Sequence, residues 1–258
     1  MIRAMILRAA GTNCDHECAH AWQLVGAAAE RIHIRRLIEE PKLLDEYQIL
    51  TIPGGFSYGD DISAGAVFGH QLRRSLGDTV RAFVDRGRLV LGVCNGFQIL
   101  VKAGLLPFPS DKNGRARCTV TYNEPRGFQD RWITLRAGKT PCAFLEEGRT
   151  YEMPIAHGEG RVVFADQATL DEAQQRGQLA LSYVPGSDAS GQVDQPTNPN
   201  GSQADIAGLC DPTGRILGLM PHPDRFTDWT QHPCWTSLPK RACGDGLHIF
   251  RRACEYFR

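Results

Sequence analysis

An α/β fold, with an open and mostly parallel sheet flanked by helices and an antiparallel extension, is predicted by three features of the chain. Short apolar, β-branched runs alternate with helix-length amphipathic segments through the first hundred residues, the pattern of a parallel sheet whose crossovers are helices. Leu89-Val90-Leu91-Gly92-Val93 breaks on Cys94, between Gly92 and Gly96, and an apolar helical pattern resumes at once through Phe97, Leu100 and Val101. That is strand, sharp turn and helix. After Gly104 the pattern changes to closely spaced short strands, an extension of the sheet rather than a second domain because no linker intervenes.

Composition excludes several classes. The 258 residues carry 29 Lys and Arg against 29 Asp and Glu, so there is no basic excess with which to hold nucleic acid or a membrane surface. The apolar start contains Arg3 and Arg8 and lacks the uninterrupted core of a signal peptide, and no segment approaches a membrane span. Nine scattered cysteines without a Cys-x-x-Cys pair indicate neither a disulfide framework nor a zinc ribbon. A reducing, cytoplasmic setting is expected.

Taken in order, residues 2–7 read as the first strand, and Gly11-Thr12-Asn13 as a turn and helix cap before a helix reaching about Ala29. That helix carries Cys14, His16, Cys18 and His20. At about 100° per residue the cysteines share one face and the histidines lie further round, so no metal site is expected. Residues 30–37 and 47–52 read as the second and third strands, with a short helical link at 41–45. The third strand runs into Pro53-Gly54-Gly55-Phe56-Ser57-Tyr58-Gly59-Asp60-Asp61, a glycine-dense loop at the carboxyl edge, where open α/β sheets bind ligands. It is no phosphate loop, for it lacks the Gly-Lys-Ser/Thr ending. A long helix from Ile62 or Ser63 to Arg86, closed by Gly87, leads to the elbow strand. Strands follow at 118–122, 132–135, 151–155, 161–164 and 179–183, with a helix at 167–176, a loop at 186–202, a strand at 216–220 and a final helix at 246–257.

The candidate chemistry lies at strand ends. At the elbow, the Cys94 sulfur sits above a helix N-terminus, whose free N–H groups favour a thiolate. The N–H groups of Gly55 and Phe56, with that of Asn95 after the nucleophile, can hold an oxyanion. In Pro221-His222-Pro223-Asp224 the prolines favour an extended chain, so His222 and Asp224, two apart, project together. A thiol beside an imidazole that a carboxylate orients is a nucleophilic triad. An α/β esterase would share the elbow but places its acid before its histidine. A non-catalytic redox or chaperone domain with an elbow cysteine stays open, with peroxide oxidation of Cys94 as its signature.

These residues resemble the class I glutamine amidotransferases, in which an elbow Gly-x-Cys-x-Gly-x-Gln and a later His-Pro-Glu form the triad. Within that family the resemblance is to the branch serving phosphoribosylformylglycinamidine synthase in purine biosynthesis. It is carried by Gly11-Thr12-Asn13-Cys14-Asp15, Gly54-Gly55-Phe56-Ser57-Tyr58-Gly59-Asp60, Gly92-Val93-Cys94-Asn95-Gly96-Phe97-Gln98, Pro154-Ile155-Ala156-His157-Gly158-Glu159-Gly160-Arg161, Pro199-Asn200-Gly201-Ser202 and Gly218-Leu219-Met220-Pro221-His222-Pro223-Asp224-Arg225. The elbow alone indicates only the family; the Phe-Ser-Tyr-Gly-Asp, His-Gly-Glu-Gly-Arg and Pro-Asn-Gly-Ser segments select the purine branch. The resemblance implies a flavodoxin-like sheet, glutamine as substrate, and Gln98, His157 and Glu159 at or near the glutamine site. It implies no cofactor or metal on this chain, with ATP and Mg on a large synthase subunit, joined in some systems by a small bridging subunit. An amidotransferase serving another pathway is the alternative. Asp224 departs from the family's usual glutamate, one methylene shorter. The whole chain is expected to be one amidotransferase domain with an insertion at 226–245.

Overall fold

The computed structural model describes residues 1–109, 116–186 and 197–258. In chain order its strands are β1 (Arg3–Arg8), β2 (Ala28–His33), β3 (Ile49–Ile52), β4 (Leu89–Val93), β5 (Cys118–Thr121), β6 (Gln129–Ala137), β7 (Thr150–His157), β8 (Arg161–Phe164), β9 (Leu179–Val184), β10 (Ile206–Cys210) and β11 (Ile216–Leu219). The helices are α1 (Asp15–Leu24), α2 (Ile34–Glu39), α3 (Ala66–Asp85), α4 (Asn95–Lys102), α5 (Gln167–Gln175) and α6 (Gly246–Glu255). Nine strands form one sheet in the order β2-β1-β3-β4-β11-β10-β9-β6-β7. The pairs from β2 to β11 are parallel, and those from β11 to β7 antiparallel. The predicted α/β class and antiparallel extension are therefore present.

Residues of β3, β4, β10 and β11 are buried along their whole length, which requires cover on both faces and explains why these strands read as continuous apolar runs. Helices α3 and α4 pack on each other and α4 on β3, β4 and β11. Helices α1 and α6 meet through Trp22 and Phe250, edge to face at 4.8 Å.

Several boundaries differ from the sequence reading. The first helix stops at Leu24, and the chain turns at Gly26 with φ of 84°, because residues 28–33 gain parallel ladder bonds to β1. The segment predicted as strand 30–37 splits at His33, whose side chain accepts the Arg35 N–H and caps α2. β10 was not predicted: a five-residue run after a turn-rich stretch carries no periodicity of its own, and its strand character comes from its two neighbours. Among the described residues β5 and β8 pair only with each other, apart from the main sheet. Most of the loop predicted at 186–202 lies outside the described residues.

Segment 226–245 packs on β6 and β7. Trp132 meets Phe226 edge to face at 4.9 Å, Trp229 stacks on His232, and Arg241 pairs with Glu152 and Asp245 while lying over the Trp229 ring. These contacts fix the direction in which the chain leaves the 222–225 turn.

Candidate active site

β4 and β11 are parallel neighbours, with Val93 opposite Leu219, and the Cys94 N–H donates to the Leu219 carbonyl at 2.8 Å. The residues that follow each strand therefore emerge side by side. Cys94 has φ of 52° and ψ of −107°, a region costing about 1–3 kcal/mol for a residue with a β-carbon. Gly96 makes the turn feasible: a β-carbon there would lie 1.8 Å from the Ile52 carbonyl oxygen. The thiol is 6% exposed and opens on a cavity.

His222 leaves β11 buried, its N–H donating to the Pro154 carbonyl of β7 at 2.9 Å. Its Nδ1 lies 3.3 Å from Asp224 Oδ1. The two form a close ion pair without a well-aligned hydrogen bond: Nδ1 and both Asp224 oxygens are buried with no hydrogen-bond partner among the described residues. The pair is electrostatic, because charge attraction tolerates the misalignment that a hydrogen bond does not. Burial opposes charge on His222, but Cys94 and Asp224 outweigh it and raise its pKa well above the usual value. Gly54 gives the ring its space, since a β-carbon there would lie 2.8 Å from His222 Cε1.

The oxyanion assignment needs one correction. The Phe56 N–H donates to the Gly11 carbonyl at 3.0 Å, so it is committed within the loop. Gly55 and Asn95 keep N–H groups with no hydrogen-bond partner among the described residues; that of Asn95 is free because it begins a helix. The Asn95 side chain ties the loop to the elbow. Its Oδ1 accepts the Ser57 N–H at 3.2 Å and its Nδ2 donates to Asp60 and Gln98 at 3.1 and 2.9 Å.

The cavity has two lobes that share Gly55, Phe56, Cys94, Phe128 and Ala156. One, of about 200 Å³, is lined by Gln98, His157 and Glu159 together with Asp60, Ala64 and Tyr122. Gln98 is held at both ends, accepting from Asn95 and donating to the Glu159 carbonyl. The Glu159 carboxylate accepts the Ala64 N–H at 3.2 Å. His157 is buried and its pKa is pushed down to about 3, first by desolvation and then by the charge of His222. Its tautomer follows from its neighbour. Asn123 Oδ1, which also accepts the Gly160 N–H, lies 3.2 Å from Nδ1, so Nδ1 donates, and Nε2 is buried with no hydrogen-bond partner among the described residues. Desolvation, more than Glu159, raises the Asp60 pKa.

The second lobe, of about 180 Å³, is lined by Asn13, His222 and Arg225. Beside it, the buried Cys14 accepts from Arg225 Nη2 at 3.2 Å and lies with His222 and Asp224 in a group whose ligand-type atoms are within 4.8 Å of one another. His16 and His20 are exposed while Cys14 and Cys18 are buried, so that tetrad does not converge. The sequence reading did not assign Asn13, Cys14, Asp60 or Arg225 to the site. One signal could have found them: each lies in a loop leaving the carboxyl end of a parallel strand, the edge that also carries Cys94.

Fold and site together define a class, the α/β proteins with an elbow cysteine beside a histidine–carboxylate pair. A CobB/CobQ-like glutamine amidotransferase domain matches residues 1–257. A phosphoribosylformylglycinamidine synthase subunit PurQ of Dehalococcoides mccartyi is 39% identical, covering 100% of this chain and 98% of that protein. One of Treponema denticola is 44% identical, covering 86% and 87%. A chain in the solved structure of PurLQS from Thermotoga maritima superposes with a TM-score of 0.72 at 30% identity, over 100% of this chain and 99% of that one. The chain belongs to the CobB/CobQ-like glutamine amidotransferase family, in its PurQ branch.

Proposed function

We propose that this chain is the glutaminase subunit of phosphoribosylformylglycinamidine synthase. It hydrolyses glutamine through a thioester on Cys94 and delivers ammonia to an ATP-dependent synthase in purine biosynthesis. The observation that carries this reading is a strained elbow cysteine that shares a cavity with a buried histidine–carboxylate pair, in a chain aligned end to end with PurQ proteins. Glutamine lies in the lobe of Gln98, His157 and Glu159, where the carboxylates of Asp60 and Glu159 suit its α-ammonium group and the buried His157 ring forms part of the wall. Cys94 attacks the side-chain amide, and the N–H groups of Gly55 and Asn95 take up the charge on oxygen. One such donor typically lowers the barrier by about 3–4 kcal/mol. His222 gives its proton to the departing nitrogen and then takes one from water, while Asp224 holds the ring's charge.

Ammonia released to water would become ammonium and lose its nucleophilic lone pair, so it must pass directly to the synthase. We assign ATP and Mg to that large subunit, with a small bridging subunit as the third member, the setting in which the Thermotoga maritima relative was solved as PurLQS. No described helix is long and apolar enough to cross a membrane, and nine free thiols suit the cytoplasm. The test is glutamate release by the pure chain, alone and titrated with synthase, acceptor and nucleotide. Slow release alone that rises in kcat on titration is expected, since free hydrolysis wastes glutamine. A chain that yields no glutamate under any of these conditions would sink the proposal.

A further inference from the structure

His222 opens on only one lobe of the cavity, and that is not the lobe of Gln98, His157 and Glu159. We infer that the lobe of Asn13, His222 and Arg225 is the nucleophile chamber: ammonia leaves Cys94 through it and the hydrolytic water enters from it, while the glutamyl group stays in the other lobe. The inference rests on the glutaminase reading above and deepens it.

The protons of the two half-reactions fix where ammonia and water must sit. In the first half-reaction the Cys94 S–C bond forms, the C–N bond breaks, and the His222 proton goes to the leaving nitrogen, which departs as neutral ammonia. In the second, the water O–C bond forms, one water proton returns to His222, and the S–C bond breaks to restore the thiolate and free the γ-carboxylic acid, which gives the other water proton to solvent and leaves as glutamate. Ammonia and water must therefore occupy the same place beside the imidazole in succession, within hydrogen-bond reach of it. A place that only the second lobe offers must be emptied and refilled through that lobe.

The charges of the two lobes agree with this division. The first carries the carboxylates of Asp60 and Glu159 and favours a cationic head group. The second carries the Arg225 guanidinium, braced on Cys14 Sγ, and no carboxylate among its lining residues. Glutamine's ammonium group is thereby drawn to the first lobe and repelled from the second, whereas neutral ammonia and water, whose lone pairs face a cation, are not repelled by a fixed positive charge.

The test fills the chamber. Asn13 is exposed, so Asn13→Leu narrows the lobe without entering the core; Arg225→Met, which removes the charge, is the second variant, and melting temperature checks that both fold. Asn13→Leu is expected to slow deacylation at least ten-fold. The kcat and KM for glutamine should fall together, and a glutamyl thioester on Cys94 should accumulate in the intact-mass spectrum. Ala64→Leu, in the other lobe, should raise KM without thioester accumulation. A raised KM for Asn13→Leu and Arg225→Met with kcat unchanged would show instead that this lobe holds the glutamine carboxylate. Folded variants with parental kinetics and no thioester would equally overturn the assignment. If the parent chain releases glutamate and the variants behave so, the chamber alone is wrong; if the parent releases none, the glutaminase reading fails with it.

Discussion

Two buried histidines face the cavity at Cys94 and are held in opposite charge states. His222 follows β11, in the parallel half of the sheet, between the cysteine and Asp224, and its pKa is raised. His157 ends β7, at the antiparallel edge, against the neutral amide of Asn123, and its pKa is lowered to about 3. Burial pushes both towards the neutral form, so it is the partners that separate them. A histidine with two potential anions beside it carries a proton for chemistry, and one with an amide beside it stays neutral and serves as wall. The halves of the sheet divide along the same line. Adjacent parallel strands deliver reactive groups to one edge beside a helix N-terminus, and the antiparallel strand brings a wall against them.

The comparison breaks most completely at the parallel edge. Cys94→Ala should lower glutamate release by about 1000-fold or more, while synthesis by the assembled complex from added ammonia persists. Glutaminase activity within ten-fold of the parent would remove Cys94 as nucleophile. Asp224→Asn comes next. Its amide leaves the imidazolium without a counter-charge, and a loss of about 100-fold, or roughly 3 kcal/mol of barrier, is expected in kcat rather than KM. Asp224→Glu sharpens the point. The 3.3 Å separation with no aligned hydrogen bond leaves room for the longer acid to improve the contact, so a rate at or above the parent's is expected. Parental rates in Asp224→Asn would remove the acid from the mechanism.

At the antiparallel edge the effect is on stability. The folded-state pKa of His157, about 3, lies below the unfolded value of about 6.5. The unfolded chain therefore binds the extra proton, and stability present above pH 6.5 is lost as the pH falls towards 3. Between pH 6.5 and 5 this amounts to about 2 kcal/mol. His157→Gln should flatten the stability profile by that much in urea titrations at the two pH values. His222 acts in the opposite sense and in another window, because its raised pKa loses stability only as the pH climbs above about 6.5. An unchanged slope in His157→Gln would mean that His157 is protonated in the folded chain and that the two histidines do not differ in charge.

Much of this was legible in the sequence, and the reasons are local. The elbow was readable because Leu89 to Val101 carry strand, turn and helix signals within thirteen residues, and His222 with Asp224 because prolines fix the intervening chain. The resemblance drew Gln98, His157 and Glu159 to one cavity, where all three line the same lobe. What was not legible depends on distant chain. The N–H of Phe56 is lost to Gly11, 45 residues earlier. Asn13 and Arg225 meet at one lobe although they are 212 residues apart, and the charge state of each histidine is set by neighbours from other elements. β10 is a strand because it lies between β9 and β11.

The smallest effect isolates what the elbow itself costs. With φ of 52° and ψ of −107°, Cys94 adopts a backbone conformation that penalises any β-carbon by about 1–3 kcal/mol. Cys94→Ala keeps that penalty, and Cys94→Gly removes it. Glycine brings its own cost, because it gains freedom in the unfolded chain, about 0.4–1 kcal/mol. The strain term is the larger, so Cys94→Gly should be more stable than Cys94→Ala by about 1 kcal/mol in urea unfolding at neutral pH. Neither variant has a nucleophile, so activity does not bias the comparison. Gly96 stays as the residue that lets the turn close. If Cys94→Gly is instead the less stable of the two, the elbow is unstrained, and the cysteine's conformation is set by its surroundings at no cost to the fold.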